Sequence, residues 1–131
     1  MKIVLDASAA VDIVAQRGRG SHFLDDLDRS DAVIAPDLIV AEVANACWKQ
    51  HRFSGLSVSA AQMQLDLALE LIEEFVPAIE LYRRAFELAR NAKRPAYDMF
   101  YVALALRDRA VLMTSDPALK KEAERQGAQV F

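Results

Sequence analysis

The stretch Lys2-Ile3-Val4-Leu5-Asp6-Ala7-Ser8, followed by Ala9, Val11, Ile13 and Val14, sets the reading of the chain. A short β-branched run stops at an acid, and the next apolar positions fall at spacings a helix tolerates, which predicts strand, turn, helix. The alternation continues outward. Gly18 and Gly20 break the first helix, Ser21 is placed to cap a second that runs to about Arg29, and Ala32–Ala35 reads as the next strand. Pro36 marks the start of a helix from Asp37 to about His51, with Ile39, Val43, Ala46 and Cys47 on one face. Arg52–Ser59 reads as a loop around Gly55, Ser59 as the cap of a longer helix to about Phe75, and Val76–Ile79 around Pro77 as an edge strand. Helices over Leu81–Asn91, Tyr97–Arg109 and Pro117–Gln126, with strands at Val111–Met113 and Ala128–Phe131, complete the pattern. Strands joined by helices predict an α/β fold: an α/β/α sandwich around a central, mostly parallel sheet of about five strands.

A chain of 131 residues that is 53% apolar fits one domain over residues 1–131 with one buried core, and it contains no linker or repeat. Lys+Arg 16 against Asp+Glu 19 gives a net charge of −3 with both signs interleaved, so binding of nucleic acid by charge alone is disfavoured. Cys47 stands alone, which excludes an intrachain disulfide, and with only His22 and His51 beside it a closed zinc site lacks soft ligands. A reducing cytoplasm is the expected location. The apolar run before Asp6 is too short for a signal-peptide core, and no stretch approaches the ~20 apolar residues of a membrane span.

In open α/β sheets ligands bind beyond the carboxyl ends of the strands, which draws attention to acids that follow strands. Asp6 follows the first strand and Asp116 follows Val111-Leu112-Met113 by way of Thr114 and Ser115. Each also has a plain structural explanation. Asp116 precedes Pro117 and Asp6 precedes a helix, so either can be an N-cap. Glu42 lies inside Val40-Ala41-Glu42-Val43-Ala44, bordering an apolar stripe, where a carboxylate loses hydration unless it snorkels to water. Asn45, three residues on, is placed to hydrogen-bond it. Asp98 shares a helix face with Val102 and Ala105, although a first-turn Asp also favours the positive end of the helix dipole. If the four converge on one cleft, each pair at ~4 Å costs about 4 kcal/mol at an effective dielectric near 20, so something positive must lie between them. No basic residue adjoins Asp6, Glu42 or Asp116 in sequence, which points to a hard divalent cation, Mg²⁺ or Mn²⁺, as the counter-charge.

Four segments in this order, Ile3-Val4-Leu5-Asp6-Ala7-Ser8, Glu42-Val43-Ala44-Asn45-Ala46, Tyr97-Asp98-Met99-Phe100-Tyr101-Val102-Ala103-Leu104-Ala105 and Leu112-Met113-Thr114-Ser115-Asp116, resemble the PIN-domain nucleases, and among them the VapC toxins of prokaryotic toxin–antitoxin pairs. The resemblance spans the chain. It implies that Asp6, Glu42, Asp98 and Asp116 form an acidic quartet around Mg²⁺ or Mn²⁺, with Asp6 and Asp98 the best-placed ligands and Glu42 and Asp116 completing the pocket. It also matches Ser8 and Thr114 to hydroxyl positions beside that pocket and Asn45 to a supporting amide. The implied reaction is hydrolysis of RNA by metal-activated water. The implied partners are RNA and a VapB-type antitoxin, in an assembly that includes a homodimer. Lys49, Arg52, Lys93 and Arg94 are candidate phosphate contacts, equally readable as solvated helix-end cations.

Three other readings stay open. A PIN-like fold used only for binding, together with an antitoxin, needs no catalysis. A phosphoaccepting receiver domain has similar size and an acidic Mg²⁺ pocket, but it wants two adjacent acids after the first strand and a lysine after a late strand, where this chain has Leu5-Asp6-Ala7 and no lysine in Val111–Asp116. A haloacid-dehalogenase-like phosphatase wants a second Asp where Ser8 stands.

Overall fold

A computed structural model describes residues 1–131. Five strands alternate with helices along the chain: β1 (Lys2–Leu5), α1 (Ala7–Ala15), α2 (Gly20–Asp28), β2 (Ala32–Pro36), α3 (Ile39–Ser54), α4 (Val58–Glu70), β3 (Glu74–Val76), α5 (Tyr82–Ala92), α6 (Ala96–Asp108), β4 (Val111–Met113), α7 (Pro117–Arg125) and β5 (Gln129–Val130). The strands are ordered β3-β2-β1-β4-β5 and every pairing is parallel, with Ile3 opposite Val33 on one side and Val111 on the other. Parallel neighbours require helical crossovers, and the right-handed sense such crossovers take sends α1–α4 to one face and α5–α7 to the other. Accordingly α1 packs on α2, α3 and α4, while α6 packs on α5 and lies against β1, β2 and β4.

Ile3, Val4 and Leu5 of β1 are fully buried, as is Leu112 of β4, because both central strands are covered on two faces. They belong to one core of 34 residues that also takes in Ile39, Val43 and Cys47 from α3 and Met99, Val102 and Leu104 from α6. No helix is long and apolar enough to cross a membrane.

Several local boundaries differ from the sequence reading. Pro36 ends β2 and pairs with Val76 rather than opening a helix, and α3 begins at Ile39. The helix then runs through Arg52 and Phe53 to Ser54, where Gly55 takes the left-handed conformation (φ 75°) that closes it. Ser57, not Ser59, caps α4, accepting a hydrogen bond from the Ala60 N–H at 3.1 Å. The third strand, Glu74–Val76, ends before Pro77 rather than running across it to Ile79. Pro77 has no N–H to continue the ladder, and Ala78–Glu80 forms a 3-10 turn whose Ala78 N–H donates to Asp37 Oδ1 at 3.0 Å. Ser21 is not the cap of α2, which starts one residue earlier at Gly20. A Cβ on Gly20 would stand 2.4 Å from the Asp12 carbonyl oxygen, so the chain can double back onto α1 only without a side chain there. The apolar residues of Ala9–Ala15 and Leu65–Ile72 serve mainly the core, through Ala9, Ala10, Val11, Ile13, Ala68 and Ile72.

Candidate active site

β1 and β4 are central neighbours from which the chain departs in opposite directions, β2 and β3 lying beyond β1 and β5 beyond β4. At such a switch point the loops leaving the carboxyl ends diverge and open a crevice. Asp6 and Thr114 leave those two strands, and the Asp6 N–H still donates to the Met113 carbonyl at 3.1 Å.

Asp6 is only 5% exposed. Its Oδ1 accepts from the Ala9 N–H at 2.9 Å, capping α1, and from the Ser8 hydroxyl at 2.7 Å. Its Oδ2 accepts from the Thr114 hydroxyl at 2.5 Å. Ser8 and Thr114 are themselves anchored, Ser8 Oγ accepting from the Ser115 N–H at 3.0 Å and Thr114 Oγ1 from the Asp116 N–H at 3.1 Å. The cap and the site are therefore one structure: the carboxylate that starts α1 is also cross-linked to the end of β4. Burial lifts the Asp6 carboxyl to about 6, against the hydrogen bonds from Thr114, Ala9 and Ser8, with the negative charge of Asp98 adding to the rise. All its hydrogen-bond donors are neutral.

Glu42 stands in the first turn of α3, half-buried, and its Oε1 accepts from the Tyr101 hydroxyl at 2.6 Å. Burial raises its carboxyl, the Tyr101 bond opposes that, and the Asp98 charge adds to it. The Tyr101 hydroxyl is held far above its ordinary range by its own burial, then by Glu42, Asp6 and Asp98, so it remains a donor at any working pH. Asp6, Glu42 and Asp98 thus share one electrostatic neighbourhood although they come from three elements. The partner expected for Glu42 was Asn45. Asn45 instead is exposed and lines, with Ser8, Glu42, Arg17 and Lys49, a recess of about 360 Å³ beside the acids.

Asp98 lies in the first turn of α6, and Asp116 is the N-cap of α7, its Oδ1 accepting from the N–H groups of Ala118 and Leu119 at 2.9 and 3.4 Å. Their other link is Arg94. One guanidinium nitrogen, Nη2, lies 3.1 Å from Asp98 Oδ2 and 4.0 Å from Asp116 Oδ2. This corrects two expectations: a positive side chain does stand beside two of the acids, and Arg94, one-quarter exposed, is paired with them rather than being a free helix-end cation. Lys93 is exposed at the left-handed end of α5. Lys49 borders the acidic pocket, whereas Arg52 lies at the far end of α3, its guanidinium 5.4 Å from the Phe53 ring.

Tyr101 and the bridging role of Arg94 are absent from the sequence reading. A tyrosine at i+3 from Asp98 within an otherwise apolar run was the available signal, since a buried phenol needs a partner.

The donors gathered here are carboxylate and hydroxyl oxygens, the set a hard cation takes. No three His, Cys, Asp or Glu side chains are already closed around one point. Burial raises Asp6 and Glu42, the Asp98 charge adds to the rise, and a cation would offset both.

A PIN-domain family model matches residues 3–124, and the chain belongs to the PIN-domain family. Within that family its relatives are VapC proteins. It is 31% identical to Ribonuclease VapC3 of Pyrobaculum aerophilum over 93% of this chain and 95% of that one. Among solved structures, PAE2754 from the same organism superposes with a TM-score of 0.75 at 23% identity, covering 99% of this chain and 92% of the other. VapBC2 from Rickettsia felis, solved bound to a DNA fragment from their promoter, gives 0.70 at 16% identity, covering 100% and 98%.

Proposed function

We propose that this chain is an endoribonuclease of the VapC kind, the toxin of a VapB-type toxin–antitoxin pair, acting in the cytoplasm as one nuclease domain over residues 1–131 and as a homodimer. The observation that carries the reading is the convergence of Asp6, Glu42 and Asp98 from three separate elements on one crevice at the β1/β4 switch point, with Asp116 joined to them through Arg94. The ribonuclease naming of a relative that matches over nearly its whole length supports the substrate class, and the VapBC assembly of a structural neighbour supports the partner.

The donor set fits Mg²⁺ or Mn²⁺, with Asp6 and Asp98 as the principal ligands and Glu42 and Asp116 completing the pocket directly or through water. When bound, such an ion supplies Lewis acidity, easing the loss of a proton from water and offsetting charge around phosphorus. The chain's own contributions follow from its hydrogen bonds. Ser8 and Thr114 hold Asp6 in one orientation, so this ligand is positioned before any ion arrives. Tyr101 fixes Glu42 while remaining neutral. Lys49 lines the neighbouring recess and supplies positive charge for RNA phosphates without reading bases, beside Arg17, whose guanidinium is paired with Asp12 at 2.7 Å.

The test is cleavage of total RNA by purified, antitoxin-free protein in Mg²⁺, Mn²⁺ or EDTA, beside Asp6→Asn and Asp98→Asn. Discrete fragments that require metal and vanish in both variants are expected. Wild type and variants that behave alike with every metal and RNA source would favour the binding module instead. Co-purification with the product of an adjacent small reading frame tests the antitoxin, and no association there removes it.

A further inference from the structure

Asp116 has one oxygen committed to capping α7, so Oδ2 is the oxygen it has free, and Arg94 faces it. Asp98 likewise presents Oδ2 to the same arginine nitrogen. One guanidinium nitrogen therefore serves both oxygens, hydrogen-bonded to Asp98 and within ion-pair reach of Asp116, where a cation shared by the two acids would have to go. We propose that Arg94 is an exchangeable counter-charge: its guanidinium holds Asp98 and Asp116 in the cation-free protein, and a divalent cation must displace it to reach them. This rests on the reading of these acids as cation ligands.

Exchangeability has its own support in the geometry. The Arg94 Nε is buried without a hydrogen-bond partner, so the docked guanidinium is incompletely satisfied and its position depends on the two carboxylates. The backbone on either side is restrained, with Lys93 left-handed at φ 55° and Pro95 following, so movement falls to the side chain. Arg94 is thus a positioning residue that sets how readily the pocket takes an ion, rather than a group that touches the reacting phosphate.

Titration calorimetry of Mn²⁺ into the metal-free full chain tests this without reference to cleavage. Arg94→Gln is expected to bind Mn²⁺ up to about fivefold more tightly than wild type, the effect of losing one competing ion pair. Arg94→Lys, which keeps the charge but not the planar fork, is expected between them and preserves the test should Arg94→Gln fail to fold. Lys93→Asn removes the same charge one residue away, with a side chain that tolerates the left-handed backbone, and is expected to bind within about twofold of wild type because exposed charge is screened. Equal affinity in wild type and both Arg94 variants overturns the inference, as does an equal gain in Lys93→Asn. Asp98→Asn separates the two levels: Mn²⁺ binding that survives it contradicts the ligand reading and the inference together, whereas loss there with unchanged affinity in the Arg94 variants contradicts the inference alone.

Discussion

The 2.6 Å bond from Tyr101 to Glu42 joins the two helices that flank the crevice, and it explains how a half-buried glutamate is kept in place beside other acids. Tyr101→Phe deletes the donor and leaves the ring packing. The expected cost is about 1 kcal/mol in urea unfolding, together with slower RNA cleavage and an acid limb of the pH–rate profile moved to higher pH, a shift that lost packing alone does not produce. Asp6 allows a sharper forecast. Its carboxyl titrates near 6 in the folded chain against an ordinary 3.8, so between those values the folded state holds a proton that the unfolded state releases. The stability this gives is fully present below 3.8 and is lost as the pH rises through 6. In EDTA, Asp6→Asn is therefore expected to be more stable than wild type by up to about 3 kcal/mol at pH 8 and to lose that advantage at pH 4. Urea melts at the two pH values check this, and a difference independent of pH contradicts it. At this scale the acids were legible as candidates because four of them fall together after strands and on apolar helix faces, although each alone has a capping, dipole or snorkelling explanation. The partner of Tyr101 was not, because a buried phenol announces that it needs an acceptor without saying which, and Arg94 was not, because although it stands four residues before Asp98 its approach to Asp116 is a tertiary contact.

Helix ends do double service in this fold. Asp6 caps α1 and Asp116 caps α7, so the structural reading of both residues holds, each with one oxygen serving its helix and the other left for the proposed site. The two duties can be separated at Asp116. Asn retains a side-chain acceptor for the cap, so Asp116→Asn is expected to melt like wild type and cleave RNA at least about tenfold more slowly; Asp116→Ala should in addition lose about 1 kcal/mol of stability. Denaturation and cleavage assays on the same preparations make the comparison. The boundaries missed from sequence all lie where chemically similar residues compete for one role. Ser57 and Ser59 both suit a cap, Pro36 suits a strand end as well as a helix start, and Gly20 displaces Ser21 because contact with Asp12 dictates where α2 begins. Only tertiary contacts choose between such neighbours. Gly20→Ala, which forces a Cβ against the α1 backbone, is expected to cost about 2 kcal/mol or more by the same unfolding measurement.

Across the whole molecule, the alternation of strands and helices was readable because each strand is a short apolar block and each helix is periodic, and a chain of that pattern has few topologies open to it. The all-parallel order β3-β2-β1-β4-β5 then places the crevice at the junction of β1 and β4 without further instruction from individual residues. Sequence alone shows acids after strands; the switch point shows why two strand-end acids and two helix-borne acids from distant segments meet there. The convergence has a chemical consequence that can be measured in one experiment, RNA cleavage in ¹⁸O-labelled water with Mn²⁺, followed by mass analysis of the product ends. Attack by water at phosphorus predicts a terminal phosphate carrying one ¹⁸O and no 2′,3′-cyclic phosphate, with no product from Asp6→Asn. Cyclic phosphate ends, or labelled product formed equally well by Asp6→Asn, would contradict the account.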